Sequence, residues 1–98
     1  MYGSIFKMKA LPGKGDEVVR VFKEWARDVR PGIEGVNAGH LLRLDSDPDS
    51  LIGVAMFSDE KTYRANAERP GQDAWYQSLR SLLSADPEWN DGEYVVTD

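Results

Sequence analysis

Apolar residues crowd one short stretch of the chain, Ser50-Leu51-Ile52-Gly53-Val54-Ala55-Met56-Phe57-Ser58, and no polar residue falls at its alternate positions. A strand covered on one side alternates apolar and polar residues, so this stretch is predicted to be a strand buried on both faces. Tyr2 to Lys9 alternates instead. Tyr2, Ser4, Phe6 and Met8 fall on one side and Gly3, Ile5, Lys7 and Lys9 on the other, as in a first strand. Pro12-Gly13-Lys14-Gly15 breaks it. Asp16 and Glu17 then suit the positive end of a helix dipole, and Val18, Phe22, Trp25 and Val29 recur at helical spacing, with Val21 and Ala26 widening the stripe. Pro31 disfavours the α conformation at Arg30 and ends that helix, and Gly32 and Gly35 make a turn.

A second strand is predicted from Val36 to Leu44, with Val36, Ala38, His40, Leu42 and Leu44 on one face and Asn37, Gly39, Leu41 and Arg43 on the other. A loop from Asp45 to Asp49, containing Pro48, joins it to the apolar strand as a hairpin. Ser58 is placed to cap a helix running to about Glu68. Pro70 suits the first position of a further helix ending near Ser84, whose buried stripe is Trp75, Leu79, Leu82 and Leu83. Pro87 to Gly92 reads as loop and Glu93 to Thr97 as a short last strand. The order strand, helix, strand, strand, helix pair, strand is the split βαβ, ferredoxin-like arrangement. It is an α+β fold with a four-stranded antiparallel sheet and helices on one face, and residues 1–98 form a single domain. The chain's own helices cover only one sheet face. The second apolar face, with Leu41 and Ile5 beside the central run, calls for a second copy of the chain, and a homodimer built sheet against sheet is expected.

Twelve basic and seventeen acidic residues give a net charge of -5, which opposes phosphate backbones and anionic membranes. The absence of cysteine excludes disulfides, thiolate metal sites and cysteine nucleophiles. No apolar stretch approaches the roughly 20 residues of a membrane span, and Met1 is not followed by a signal-peptide pattern. A cytoplasmic protein binding neither nucleic acid nor membrane is expected. Asp45, Asp47 and Asp49 imitate the start of a calcium loop but lack its later glycine and glutamate, so they read as a solvated turn. Gly13-Lys14-Gly15 is too short for a phosphate loop, and a single histidine cannot build a two-histidine metal site. Neither a metal nor a cofactor is expected.

Phe57-Ser58-Asp59-Glu60, then Tyr63, Asn66, Ala67, Pro70, Asp73-Ala74-Trp75-Tyr76 and Leu79, resembles the antibiotic biosynthesis monooxygenase-like domain of the dimeric α/β-barrel superfamily. The resemblance covers nearly the whole chain in element order and length. It implies a dimeric α/β barrel with a pocket between the sheet and helices of each subunit. It also implies activities that include cofactor-independent oxygenation of polycyclic phenols, quinol oxygenation and haem degradation. Haem-degrading members use a helix histidine and a first-strand asparagine. Here the one histidine, His40, lies on a predicted strand and the first strand offers Ser4, so haem cleavage is not expected.

The catalytic candidates are His40, Tyr63 and Asn66. Histidine titrates nearest neutrality, so His40 would serve as general base or pocket donor, or else as a partly buried histidine on a backbone carbonyl. Tyr63 and Asn66 stand three apart on one helix face, a phenol and an amide able to orient a substrate hydroxyl or an oxyanion. Trp75 and Tyr76 would wall a flat aromatic ligand, or belong to the core as Trp25 does by its stripe. Arg64 is expected in solvent. The pocket reading places His40 under the helices, and the opposite choice of faces would send it to the dimer interface. The expected function is oxidation of a small phenolic or quinol-type compound, with electrons supplied by the substrate. The alternative is a non-catalytic stress-related or small-molecule-binding dimer of the same fold.

Overall fold

A computed structural model describes residues 1–98. The elements are β1 (Tyr2–Lys9), α1 (Gly15–Asp28), β2 (Val36–Leu44), β3 (Asp47–Phe57), α2 (Glu60–Ala67), α3 (Gln72–Arg80) and β4 (Glu88–Glu93), with one 3-10 turn, Arg30–Gly32, after α1. The strands form one antiparallel sheet in the order β2-β3-β1-β4, the ferredoxin-like arrangement. No helix is long and apolar enough to cross a membrane.

Each element follows from local chemistry. In β1 the alternation is realised: Ser4, Phe6 and Met8 are buried while Ile5, Lys7 and Lys9 are exposed. The α1 stripe buries Val18 completely and lays Phe22 on Phe6, ring centroids 6.2 Å apart. Phe6, Met8, Ala10, Val18, Leu51, Leu79 and Leu83 form the core between sheet and helices. Gly35, at φ +85°, turns the chain into β2 in a conformation that other residues avoid. The α2 helix is capped by Asp59, one residue beyond the expected Ser58. Its Oδ1 accepts from the Thr62 amide at 2.8 Å, while Ser58 is turned to the Gly35 carbonyl. Left-handed Gly71, at φ +88°, separates Pro70 from α3, so that helix starts at Gln72. It ends at Arg80, short of Ser84, because the Ser84 amide donates to the Lys9 carbonyl at 2.9 Å and ties the chain to the end of β1.

Three further expectations are corrected. The last strand is Glu88–Glu93, where a loop was expected, and the residues beyond Glu93 lie outside it, with Val95 and Val96 about four-fifths exposed. As an edge strand β4 draws on backbone pairing to β1, and a single aromatic anchor, Trp89, packs on Phe6 at 4.8 Å. Of the acids of the β2–β3 hairpin, Asp45 is exposed in the turn, as expected, whereas Asp47 and Asp49 belong to β3 and are engaged by the protein. Asp47 binds Lys9, the Ser50 hydroxyl and the Asp49 amide, and Asp49 accepts from the amides of Gly13 and Gly15, both at 3.1 Å, at the start of α1.

The third correction concerns the faces of β2. The pairings Phe6↔Gly53 and Gly53↔Leu41 put Leu41 on the helix side, since residues directly opposite share a face. The same register aligns His40 with Val54 and Ile5, on the side away from the helices. A bulge between Val36 and Ala38 shifts the parity, so Val36 stays on the helix side while Ala38, His40 and Leu42 turn outward. The outer face therefore carries Ile5, Leu42, Ile52, Val54 and Met56, of which Leu42 is 57% exposed.

Candidate functional site

A cavity of about 650 Å³ lies between the sheet and the three helices. Its floor is Phe6, Leu41, Leu51 and Ala55 of the sheet, and its roof is Phe22, Trp25, Trp75, Tyr76 and Leu79 of α1 and α3. Aromatic rings run round it in a chain: Trp89 on Phe6, Phe6 on Phe22, Phe22 edge-on to Trp75 at 5.5 Å, and Trp75 against Trp25 at 6.1 Å. Tyr76 extends the chain beyond Trp89, at 6.4 Å. The local reason is Gly53. A Cβ there would run into Cε2 and Cζ of Phe6, so the glycine lets the ring lie flat on β3 and leaves space above it.

The polar groups gather toward the α2 side. Tyr63 donates its hydroxyl to Asp91 Oδ1 at 2.9 Å, and Arg64 reaches Asp91 Oδ2 at 3.3 Å and the Tyr2 hydroxyl at 3.0 Å. The Arg64 guanidinium also lies over the Tyr2 and Tyr63 rings, 5.6 and 5.4 Å from their centroids. Burial pushes the Tyr63 phenol up to about 12, and the hydrogen bond and negative charge of Asp91 add to the rise. Tyr63 therefore remains a proton donor through the neutral range. Asn66 accepts from Arg69 Nε at 3.3 Å through Oδ1, which leaves its amide nitrogen free to donate. The indole nitrogens of Trp25 and Trp75 are buried with no partner in the protein. No group of His, Asp or Glu side chains converges in a way that could hold a metal ion.

Of the five residues singled out from the sequence, Tyr63, Asn66, Trp75 and Tyr76 come together around the cavity. His40 borders it too, although the β2 register directs its imidazole to the outer face. Asp91 and Trp89 complete the site and were missed, because their segment reads as loop. The signal available was period two: Trp89 and Asp91 share the side of β4 that faces Phe6 and Ser4. Arg64 is half exposed, as expected, yet bridges two walls of the site.

No protein-family model matches the chain, and no curated protein sequence matches it. Solved structures do match. SnoaB, a cofactor-independent oxygenase from Streptomyces nogalater, superposes with a TM-score of 0.83 at 21% identity, over 96% of this chain and 92% of that one. A Chloroflexus aurantiacus protein provisionally named an antibiotic biosynthesis monooxygenase gives 0.81 at 23% identity, covering 99% and 95%. A Nitrosomonas europaea protein of unknown function gives 0.80 at 18% identity, covering 97% and 89%. The chain has the fold of the antibiotic biosynthesis monooxygenase-like domain.

Proposed function

We propose that the protein is a cofactor-independent oxygenase acting on a flat phenolic or quinol-type compound, working in the cytoplasm as a homodimer. The observation that carries this is the cavity itself: a half-open space of about 650 Å³ lined largely by apolar and aromatic side chains, with its hydrogen-bonding groups collected along the α2 side. A planar aromatic ligand gains its binding energy from such walls and its orientation from a few polar points. The likeness of fold to SnoaB, itself a cofactor-independent oxygenase, agrees with it.

The chemistry asks three things of the protein. The substrate must lose a proton, its anion must be held, and water must be excluded while dioxygen reacts. Trp75, Tyr76 and Phe22 give the ligand apolar walls that displace water from its faces. The Asn66 amide nitrogen donates to oxygen where charge develops, and the single Tyr63 proton, held by Asp91, turns to it once Asp91 takes up the substrate's proton. Asp91, lining the cavity beside Tyr63, is the acceptor for the proton, the role expected of His40. In a phenol, two hydrogens leave, one from the hydroxyl and one from the para ring carbon. One atom of dioxygen becomes its carbonyl oxygen and the other leaves as water, and the substrate supplies every electron. Dimerisation covers the outer face of Ile5, Leu42, Ile52, Val54 and Met56, and His40 lies in that interface.

Incubating the protein with a panel of phenols and quinols under oxygen, with products resolved by mass spectrometry, tests the proposal. An oxygenated product formed without added reductant is expected. Binding without turnover across the panel would favour the second reading, a small-molecule-binding dimer. What speaks for that reading is that no imidazole faces the cavity.

A further inference from the structure

Arg69 sits between α2 and α3, outside the cavity wall, yet it touches two residues that line it. Its Nε donates to Asn66 Oδ1 and its terminal NH2 to Gln72 Oε1, both at 3.3 Å, while the remaining nitrogen reaches the Pro70 carbonyl at 3.4 Å. The backbone holds the same geometry, because the Arg69 amide donates to the Asn66 carbonyl and the Gln72 amide to the Arg69 carbonyl, at 3.1 and 3.0 Å. A guanidinium can only donate, so each carboxamide must present its oxygen to Arg69 and its NH2 elsewhere. Neither amide nitrogen has a partner in the protein. Of the two acids lining the cavity, Asp73 is exposed and Asp91 is already engaged by Tyr63 and Arg64.

We infer that Arg69 is a positioning residue that sets the hydrogen-bonding polarity of this wall. By occupying both carboxamide oxygens it makes Asn66 and Gln72 obligate donors, and the wall selects a ligand that places an acceptor oxygen, a carbonyl or an oxyanion, against it. Without Arg69 either amide could rotate and offer an acceptor instead, and the selection would vanish while the aromatic walls remained. The inference rests on the cavity being the ligand site proposed above, though not on oxygen chemistry.

The test uses 9-fluorenone and fluorene, flat probes of nearly equal size that differ by one carbonyl oxygen, titrated in oxygen-free buffer against indole fluorescence. The unmodified protein should prefer fluorenone by about tenfold. Arg69→Met, which keeps the aliphatic stem without the fork, should bring the ratio to about one and leave fluorene affinity within about twofold, a change that loosened packing alone would not produce. Asn66→Asp keeps the pairing with Arg69 but turns an acceptor oxygen to the cavity. It should also abolish the preference, and it covers the case in which Arg69→Met does not fold. Retention of the preference in a folded Arg69→Met or in Asn66→Asp overturns the inference. Equal binding of both probes to the unmodified protein overturns it too and leaves the oxygenase proposal standing, whereas failure to bind either probe overturns both.

Discussion

Gly53 is the residue on which the cavity floor depends, and Gly53→Ala gives the most quantitative prediction. A Cβ at this position would lie 2.8 Å from Cε1 of Phe6 and closer still to Cε2 and Cζ, inside the 3.0 Å that real Cβ contacts respect. The strand cannot retreat, because β3 is paired on both sides, to β1 and to β2. The ring must therefore move, and it is held by Phe22 at 6.2 Å and Trp89 at 4.8 Å. Overpacking of this kind costs about 1–3 kcal/mol, and the entropic gain of alanine over glycine in a strand returns about 0.5–1 kcal/mol. At the midpoints of these ranges the net loss is about 1 kcal/mol, or roughly 4–8 °C in Tm for a domain of this size. Thermal unfolding followed by circular dichroism at one fixed protein concentration measures it. Phe6→Leu removes the obstructing ring, so the double mutant should lose much less than the sum of the two single changes. An unchanged Tm for Gly53→Ala, or strict additivity in the cycle, would refute the claim that Phe6 rests on that glycine.

Four further outcomes follow from the same contacts. Tyr63, with its phenol pushed up to about 12, should ionise well above the ordinary value near 10 in an ultraviolet titration. Because the folded value is raised, the associated stability is present below pH 10 and is lost as pH climbs through 12, and Tyr63→Phe should remove both that phase and that dependence. Asp47 is held down to about 2, first by its hydrogen bond to Lys9 and then by the Asp49 amide and the Ser50 hydroxyl. Its contribution is present above the unfolded value near 4 and lost as pH falls toward 2, so Asp47→Asn should flatten the acid limb of a stability–pH curve. Asp49→Ala removes the carboxylate that holds the Gly13 and Gly15 amides and should cost about 0.5–2 kcal/mol in urea unfolding. Light scattering at micromolar concentration should report twice 11.0 kDa, Leu42→Asp with Val54→Asp should return the monomer, and His40→Ala should leave binding of an aromatic ligand unchanged.

What could be read from the sequence was whatever periodicity encodes. The alternation of β1, the α1 stripe from Val18 to Trp25 and the apolar β3 run each state which side is covered, and together they fix the α+β topology. Tyr63 and Asn66 were legible because three residues of helix put them on one face. The unread parts depend on contacts between distant segments. Asp91 enters the site through pairing of an edge strand whose residues, Glu88, Asn90 and Glu93 among them, carry no hydrophobic signal. The outward turn of His40 comes from a bulge at the start of β2, a one-residue irregularity that reverses every side chain after it. Asp49 looks like a surface turn until β3 carries it to the start of α1.

The central claim is that the cavity beneath the helices passes a substrate's own electrons to dioxygen. The most direct measurement supplies isotopically labelled dioxygen, with no added reductant, flavin or metal, to the protein and a phenol or quinol that binds it, and follows oxygen uptake and product mass together. The account predicts one labelled oxygen atom in each product and one dioxygen consumed per product, both lost in Asn66→Leu, which retains the fold. Tight binding of the same compounds with no oxygen uptake, or product formation that survives Asn66→Leu undiminished, would contradict it.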